Sequence, residues 1–278
     1  MNVGVLINLS KAVDIPAVAR MTEILSHGGA NVFADAAFAQ ALSVQCISPE
    51  EMYAKSDVLI VFGGDGTLLS AARSCAPHGA AVLGINLGRL GFLTEAEVSD
   101  LNQIAEAILR GDYAVEDRMM LSAKLPGGTT FTAMNDVVVS RSESLSMIRC
   151  NVAIGGRHFD SYGADGVLAA TPTGSTAYSL SCGGPVVNPR LDCIVFAPIC
   201  PHSFRARPMV LSSDEVLTLG VNSVSKAARV DIDGIYAGSI APGESVSVAK
   251  SPLQAKFVRL KEHSFYSVLR SKLMELQN

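Results

Sequence analysis

The chain has 278 residues, with 22 Lys+Arg against 26 Asp+Glu and a formal net charge of −4. That length suits one large domain or two ordinary ones and allows about 70–75% of the unfolded surface to be buried. The near-balanced charge gives no footprint for nucleic acid or an anionic membrane as a partner. Although 49% of the residues are hydrophobic, no run approaches the ~20 consecutive apolar residues of a membrane span.

The first third alternates β-rich runs with helical patterns: a strand over 3–9, a helix over 16–27, a strand over 58–62, a helix over 67–75 and a strand over 81–85. Such alternation predicts βαβ units on a parallel sheet, a doubly wound α/β domain. A further helix over 101–109 is stopped by Gly111, with Ser99 or Asp100 as its expected cap. From about residue 113 the pattern becomes short strands separated by turn residues, at 119–125, 131–140, 147–154, 215–221, 228–232 and 245–249, with turns at Gly127-Gly128 and Gly155-Gly156. This predicts an all-β, sandwich-like domain. Phe265, Val268, Leu269, Leu273 and Leu276 recur at helical spacing, so a final helix over 264–276 is expected to pack back. The expected organisation is therefore an α/β domain over 1–112, a β-sandwich domain over 113–258, and a helical segment over 259–278 returning to the first domain.

Six cysteines, at 46, 75, 150, 182, 193 and 200, form no Cys-x-x-Cys pair and no zinc spacing with the histidines. They read as reduced thiols, and the first residues lack the basic and apolar segments of a signal peptide. A soluble, cytoplasmic chain is expected. The isolated histidines 78, 158, 202 and 263 show no pattern with a Ser or Cys nucleophile, which leaves hydrolase triads unsupported.

The apolar strand at 58–62 runs into Gly63-Gly64-Asp65-Gly66-Thr67. Glycines without a Cβ let backbone N–H groups approach a phosphate chain, and the following helix adds its positive end. Gly63, Gly64, Gly66 and Thr67 form the expected phosphate cradle. Asp65 is the anomaly, because a carboxylate beside polyphosphate is repulsive unless it takes a proton or binds a cation; the competing reading is a helix cap. There is no P-loop motif and no Gly-x-Gly-x-x-Gly after the first strand. No lysine lies near the turn in sequence, which leaves a metal and Arg73 or Arg89 to offset the phosphates; both arginines also suit the solvated surface, and for Arg73 the surface is the favoured reading. Similar glycine turns occur in diacylglycerol-type lipid kinases and phosphofructokinase.

A second segment, Thr171-Pro172-Thr173-Gly174-Ser175-Thr176-Ala177-Tyr178-Ser179-Leu180-Ser181, crowds hydroxyls where packing gains nothing from them, which predicts ligand contact rather than structure. A hydroxyl-rich turn with a short helix from about 175 is the competing reading. Asn135-Asp136 couples an amide with a carboxylate suited to a ribose diol. Asn86-Leu87-Gly88-Arg89-Leu90-Gly91-Phe92-Leu93-Thr94 sets glycines at the carboxyl edge of a sheet, where open α/β folds hold ligands.

Taken in order with Ala164-Asp165-Gly166 and Asp231-Ile232-Asp233-Gly234, these segments resemble the NAD kinase family over nearly the whole chain. The resemblance implies that Asp65 is the general base for the adenosine 2′-hydroxyl of NAD, with Gly66 beside it. It implies that Asn135, Asp136, Asp165, Thr176, Ala177, Tyr178, Ser179, Leu180 and Ser181 bind NAD. ATP or another polyphosphate as donor, a divalent metal such as Mg²⁺ with no ligands assigned, and a homodimer or homotetramer follow from the same resemblance. A lipid kinase and a non-catalytic NADP-binding sensor are the alternatives. Three positions depart from the family: Asp136 where Glu is usual, Gly163 where some members carry Arg, and Ile235 where a polar residue is common.

Overall fold

The computed structural model describes residues 1–88, 91–142, 147–222, 227–260 and 265–275. The chain divides into two units, Met1–Asp117 with Ala255–Asn278, and Arg118–Gln254.

In the first unit, β1 (Asn2–Ile7), β2 (Asn31–Ala34), β3 (Gln45–Cys46), β4 (Val58–Gly63) and β5 (Ala81–Asn86) alternate with α1 (Ile15–His27), α2 (Pro49–Lys55), α3 (Asp65–Cys75) and α4 (Leu101–Arg110). The strands pair in parallel in the order β3-β2-β1-β4-β5. Residues Lys256 and Phe257 return to pair in parallel with Ala81 and Val82. One sheet face carries Val3, Val5, Ile7, Val58, Ile60 and Phe62 against Val18, Met21 and Leu25 of α1 and Ile104 and Ile108 of α4. Each such side chain contributes about 1.5–3 kcal/mol by burial. On the other face Gly4 lies against Met52, Leu59 and Ser56, and Gly84 against Leu68, so the absence of a Cβ lets α2 and α3 approach. The sheet is therefore doubly wound, as expected.

The local chemistry starts and ends these helices. Asp14 caps α1 by accepting from Ala17 N–H at 3.1 Å. Ser48 and Glu51 form a reciprocal capping box at α2. At α4 the residue before the helix is Asp100, but its side chain makes no capping bond and instead accepts from Ser99 Oγ. Gly111 ends α4 in the left-handed conformation.

The second unit is an antiparallel sandwich. Its strands are β6 (Ala114–Lys124, which begins in the first unit), β7 (Thr130–Ala133), β8 (Asp136–Arg141), β9 (Ile148–Ile154), β10 (Arg157–Ala164), β11 (Gly166–Ala170), β12 (Cys193–Ile199), β13 (Met209–Ser212), β14 (Leu217–Val221), β15 (Ala228–Ile232), β16 (Ile235–Ile240) and β17 (Ser245–Arg259). One sheet runs β13-β12-β11-β8-β15-β16; facing it are β6, β7, β9, β10, β14 and the first part of β17. Leu121, Val137, Val139, Val152, Val167, Phe196, Leu219, Val230 and Val246 form the core between them. Val138, Leu168, Val195 and Ala197 point to the opposite face, where Val187 covers them.

The run expected over 131–140 breaks at Met134-Asn135 into β7 and β8, because backbone N–H groups there bond to Asp233 rather than continuing the ladder. The helix expected from about 175 is a 3-10 turn, Thr173–Thr176, followed by the single turn α5 (Tyr178–Ser181). The final helix, α6, spans Phe265–Glu275. Ser264 and Leu276 of the expected helix, with His263, lie outside the described residues. All six cysteines are free, and among the described residues no helix is long and apolar enough to cross a membrane.

Candidate functional site

Strand order reverses between β1 and β4, the position at which open α/β sheets leave a crevice at their carboxyl ends. Three loops meet there. Asn8, just after β1, donates from Nδ2 to Thr67 Oγ1 at 2.8 Å, and its backbone N–H bonds to Phe62 O. Asn86, ending β5, closes its loop by donating to Gly88 O at 2.6 Å and accepting from Gly88 N–H. Gly63 must be a glycine, since a Cβ would lie 2.8 Å from Thr67 Cβ.

Asp65 is the first residue of α3, after Gly64, and makes no capping bond to it. Its Oδ2 accepts from Phe92 N–H at 2.8 Å and its Oδ1 from Leu93 N–H at 3.2 Å. The capping reading is thereby corrected: the carboxylate is held by a separate loop. The cation expectation is corrected too. Lys11 Nζ stands 3.3 Å from the Cβ position of Gly64 and 3.7 Å from that of Gly88, so a lysine does lie at the turn. Parallel pairing of β1 with β4 brings it there. Arg73 sits in the last turn of α3, about 12 Å along the axis from Asp65, and Arg89 lies outside the described residues together with Leu90.

In the second unit a cleft of about 500 Å³ is lined by Asn135, Asp136, Ala177, Tyr178, Arg229, Asp231, Asp233 and Gly234, among others. Asn135 and Asp136 open β8, and the 171–176 segment is laid against them. Thr171 N–H donates to Asn135 O at 2.8 Å, Thr171 Oγ1 donates to Met134 O at 2.6 Å, and a Cβ on Gly174 would fall 2.1 Å from Asn135 O. Ser175 Oγ bonds with Pro172 O and accepts from Val187 N–H, while Thr173 accepts from the buried Arg118. These hydroxyls satisfy a buried backbone turn, which corrects the expectation that the fold gains nothing from them. Thr176 and Ala177 are part-exposed and Tyr178 is 44% exposed, facing the cleft. Burial pushes the Tyr178 phenol upward, keeping it a hydroxyl donor. Leu180 is part-buried and Ser181 exposed, whereas Ser179 is fully buried, its Oγ without a hydrogen-bond partner.

Asp165 lies between β10 and β11 and pairs with Arg141, Oδ1 to Nε 3.2 Å. Asp136 is only 4% exposed, and no described side chain or backbone group hydrogen-bonds its carboxyl. Burial first, then Asp233 and Asp231, push it up to about 7. A buried acid without a protein partner on a cleft wall points to a ligand that supplies one. Arg229 forms a close pair with Asp231 at 2.7 Å and lies 4.9 Å from the Tyr236 ring centroid. Arg141, Arg229 and Lys11 were not singled out by sequence; each is contributed by strand pairing across a distance that spacing does not reveal.

The description "ATP-NAD kinase N-terminal domain" matches residues 3–113, and "ATP-NAD kinase C-terminal domain" matches residues 134–260. The chain belongs to the NAD kinase family. It is 42% identical to an NAD kinase of Heliobacterium modesticaldum, covering 98% of both chains, and 38% identical to one of Caldanaerobacter subterraneus, covering 98% of this chain and 99% of the relative. An NAD kinase from Archaeoglobus fulgidus, solved in complex with ATP, superposes with a TM-score of 0.77 at 27% identity, covering 99% of each chain. Yeast NADH kinase, solved with NADH, has the same fold, with a TM-score of 0.84 at 24% identity over 97% of this chain and 85% of that one.

Among the described residues of this NAD kinase family member, no group of three or more His, Cys, Asp or Glu side chains is arranged to hold a metal ion. A Mg²⁺ bound through phosphate oxygens and water needs only one or two carboxylates, so the chain's own residues do not define its place.

Proposed function

We propose that the chain transfers a phosphoryl group from ATP, or another nucleotide or polyphosphate, to the 2′-hydroxyl of the adenosine ribose of NAD, giving NADP. The observation that carries the reading is the Asp65 carboxylate, held by Phe92 and Leu93 N–H beside a glycine turn at a helix N-terminus, with no capping duty of its own. Asp65 takes the hydroxyl proton as the ribose oxygen forms its bond to the terminal phosphorus; the bond to the bridging oxygen breaks, and the shortened donor leaves with that electron pair. Gly63, Gly64, Gly66 and Thr67 cradle the donor phosphates, and Lys11 offsets their charge.

Asn135, Asp136, Asp165, Thr176, Ala177, Tyr178, Leu180 and Ser181 bind the acceptor dinucleotide, with Ser179 contributing through its backbone. A divalent cation, Mg²⁺ in this reading, arrives with the donor and supplies charge neutralisation. The enzyme is a cytoplasmic homodimer or homotetramer in the same reading, which the exposed Val210, Ile235 and Tyr236 on edge strands β13 and β16 support. Sedimentation tests the assembly.

The activity is tested with purified protein, NAD, Mg²⁺ and a panel of ATP, other nucleoside triphosphates and polyphosphate, read through an NADP-specific dehydrogenase. NADP formation with at least one donor is expected. Phosphorylation of sphingosine or diacylglycerol with none of NAD, or dinucleotide binding without turnover, would overturn it.

A further inference from the structure

The turn between β15 and β16 consists of Asp233 and Gly234, both at positive φ, +49° and +76°. A non-glycine residue there is unusual, and Asp and Asn are among those that tolerate it. The Asp233 side chain folds back onto a segment almost a hundred residues earlier. Its Oδ1 accepts from Asn135 N–H at 2.7 Å and from Asp136 N–H at 3.2 Å, and its Oδ2 accepts from Met134 N–H at 3.0 Å. Asp233 N–H in turn donates to Asp136 O at 3.0 Å. Three successive N–H groups converge on one carboxylate where β7 and β8 part, just where the ladder leaves those donors free.

We propose that Asp233 is the positioning residue of the acceptor site, clamping the Met134–Asp136 backbone so that Asn135 and Asp136 face the cleft and meet NAD in one fixed geometry. The proposal rests on the acceptor role assigned to the pair above. Asp136 faces carboxylates at Asp233 and Asp231; Arg229, on the same cleft, is already engaged by Asp231. Tyr178 and Cys182 are the other titratable groups near it, and Asp136 is among the charges acting on both of them. No cation among these is paired with Asp136, so its carboxyl retains a proton up to about pH 7, and a protonated carboxyl donates where a carboxylate can only accept.

The test compares wild type with Asp233→Asn and Asp233→Gly, both compatible with positive φ, by steady-state kinetics from pH 5.5 to 8.5. In the wild type, KM for NAD should rise as pH passes about 7. In Asp233→Asn, whose Oδ1 still accepts but whose amide opposes Met134 N–H, KM for NAD should rise about tenfold, and in Asp233→Gly about a hundredfold, from lost hydrogen bonds to a charged acceptor. KM for ATP and kcat at saturating NAD should stay within about twofold. The pH at which KM for NAD rises should move lower in both variants, because one neighbouring negative charge is gone. Unchanged KM for NAD in folded variants, or a raised KM with an unmoved pH profile, would overturn the inference. Absence of NADP formation by the wild type would overturn the functional reading and this inference with it.

Discussion

Asp65 and residue 91 compete for the same space: a Cβ on Gly91 would lie 1.9 Å from Asp65 Oδ1. Glycine at 91 therefore lets the backbone at 92 and 93 grip the carboxylate. Gly91→Ala should push Asp65 off both N–H groups. A fall in kcat of at least about 10²-fold is expected, the scale of a lost general base, with little change in thermal midpoint. Wild-type kcat in the Ala variant would mean the grip has no part in catalysis.

Asp65→Asn keeps the size of the side chain and one acceptor for the loop while removing basicity. NADP formation should fall by about 10²–10⁴-fold, and NAD binding measured by calorimetry should weaken far less. Full activity in a preparation free of wild-type protein would remove Asp65 from proton transfer.

Lys11→Met retains an apolar stem of similar length without the charge. A charged hydrogen bond to phosphate is worth about 1.5–3 kcal/mol, so KM for ATP should rise roughly 10- to 150-fold, with KM for NAD held. Lys11→Arg should recover much of the loss. An ATP response equal to wild type in Lys11→Met would place the ammonium off the donor.

Gly66 has open space where a Cβ would go and is the second residue of α3. Replacing a helical glycine by alanine stabilises by up to about 1 kcal/mol, and by less in the first turn. Gly66→Ala should thus raise the thermal midpoint while weakening ATP binding, because the added methyl stands where phosphate approaches. A variant that is both more stable and equally active would argue against close backbone approach at 66.

Asp136 gives stability a pH dependence. Its carboxyl is raised from 3.8 to about 7 by burial, Asp233 and Asp231, so between those values the folded chain holds a proton that the unfolded chain releases. Stability falls as pH rises through this window and stays lower above about 7. Asp136→Asn should therefore gain on wild type with rising pH, by roughly 2–4 kcal/mol at pH 8, at 1.36 kcal/mol per unit. Urea unfolding at pH 5, 6.5 and 8 measures it. A difference that does not change with pH would mean Asp136 titrates normally.

The periodic apolar residues of α1, α3 and α4 were legible because each helix presents a face to the core, and the strands at 58–62 and 81–85, buried on both faces, because each is a short continuous apolar run that meets a glycine or polar turn. α2 was not, since its seven residues bury only Met52, although Ser48 and Glu51 spell a capping box. β12, equally buried on both faces, escaped notice because Pro198 interrupts its apolar run. In the site, Asp65 and the glycine turn were legible as local chemistry. Lys11 at the turn and Asp233 beneath Asn135 are products of strand pairing, which local spacing does not encode. Thr171 and Ser175 misled in the other direction, because a hydroxyl that satisfies buried backbone looks the same in sequence as one that waits for a ligand.

β17 leaves the second unit at Gln254 and ends in the first, where Arg259 meets Glu95 at 2.8 Å and Glu116 at 3.5 Å, and Leu260 N–H reaches the same Glu95. The Glu95 side chain is 1% exposed, a buried charge that is costly without its counterion. On the ribosome, the first unit must therefore wait while about 140 intervening residues are made, on the order of ten seconds at 5–20 residues per second. During that interval its sheet lacks the strand beside β5, and Glu95 lacks the counterion that it has in the folded unit. The second unit, unbroken in sequence, is free to fold first.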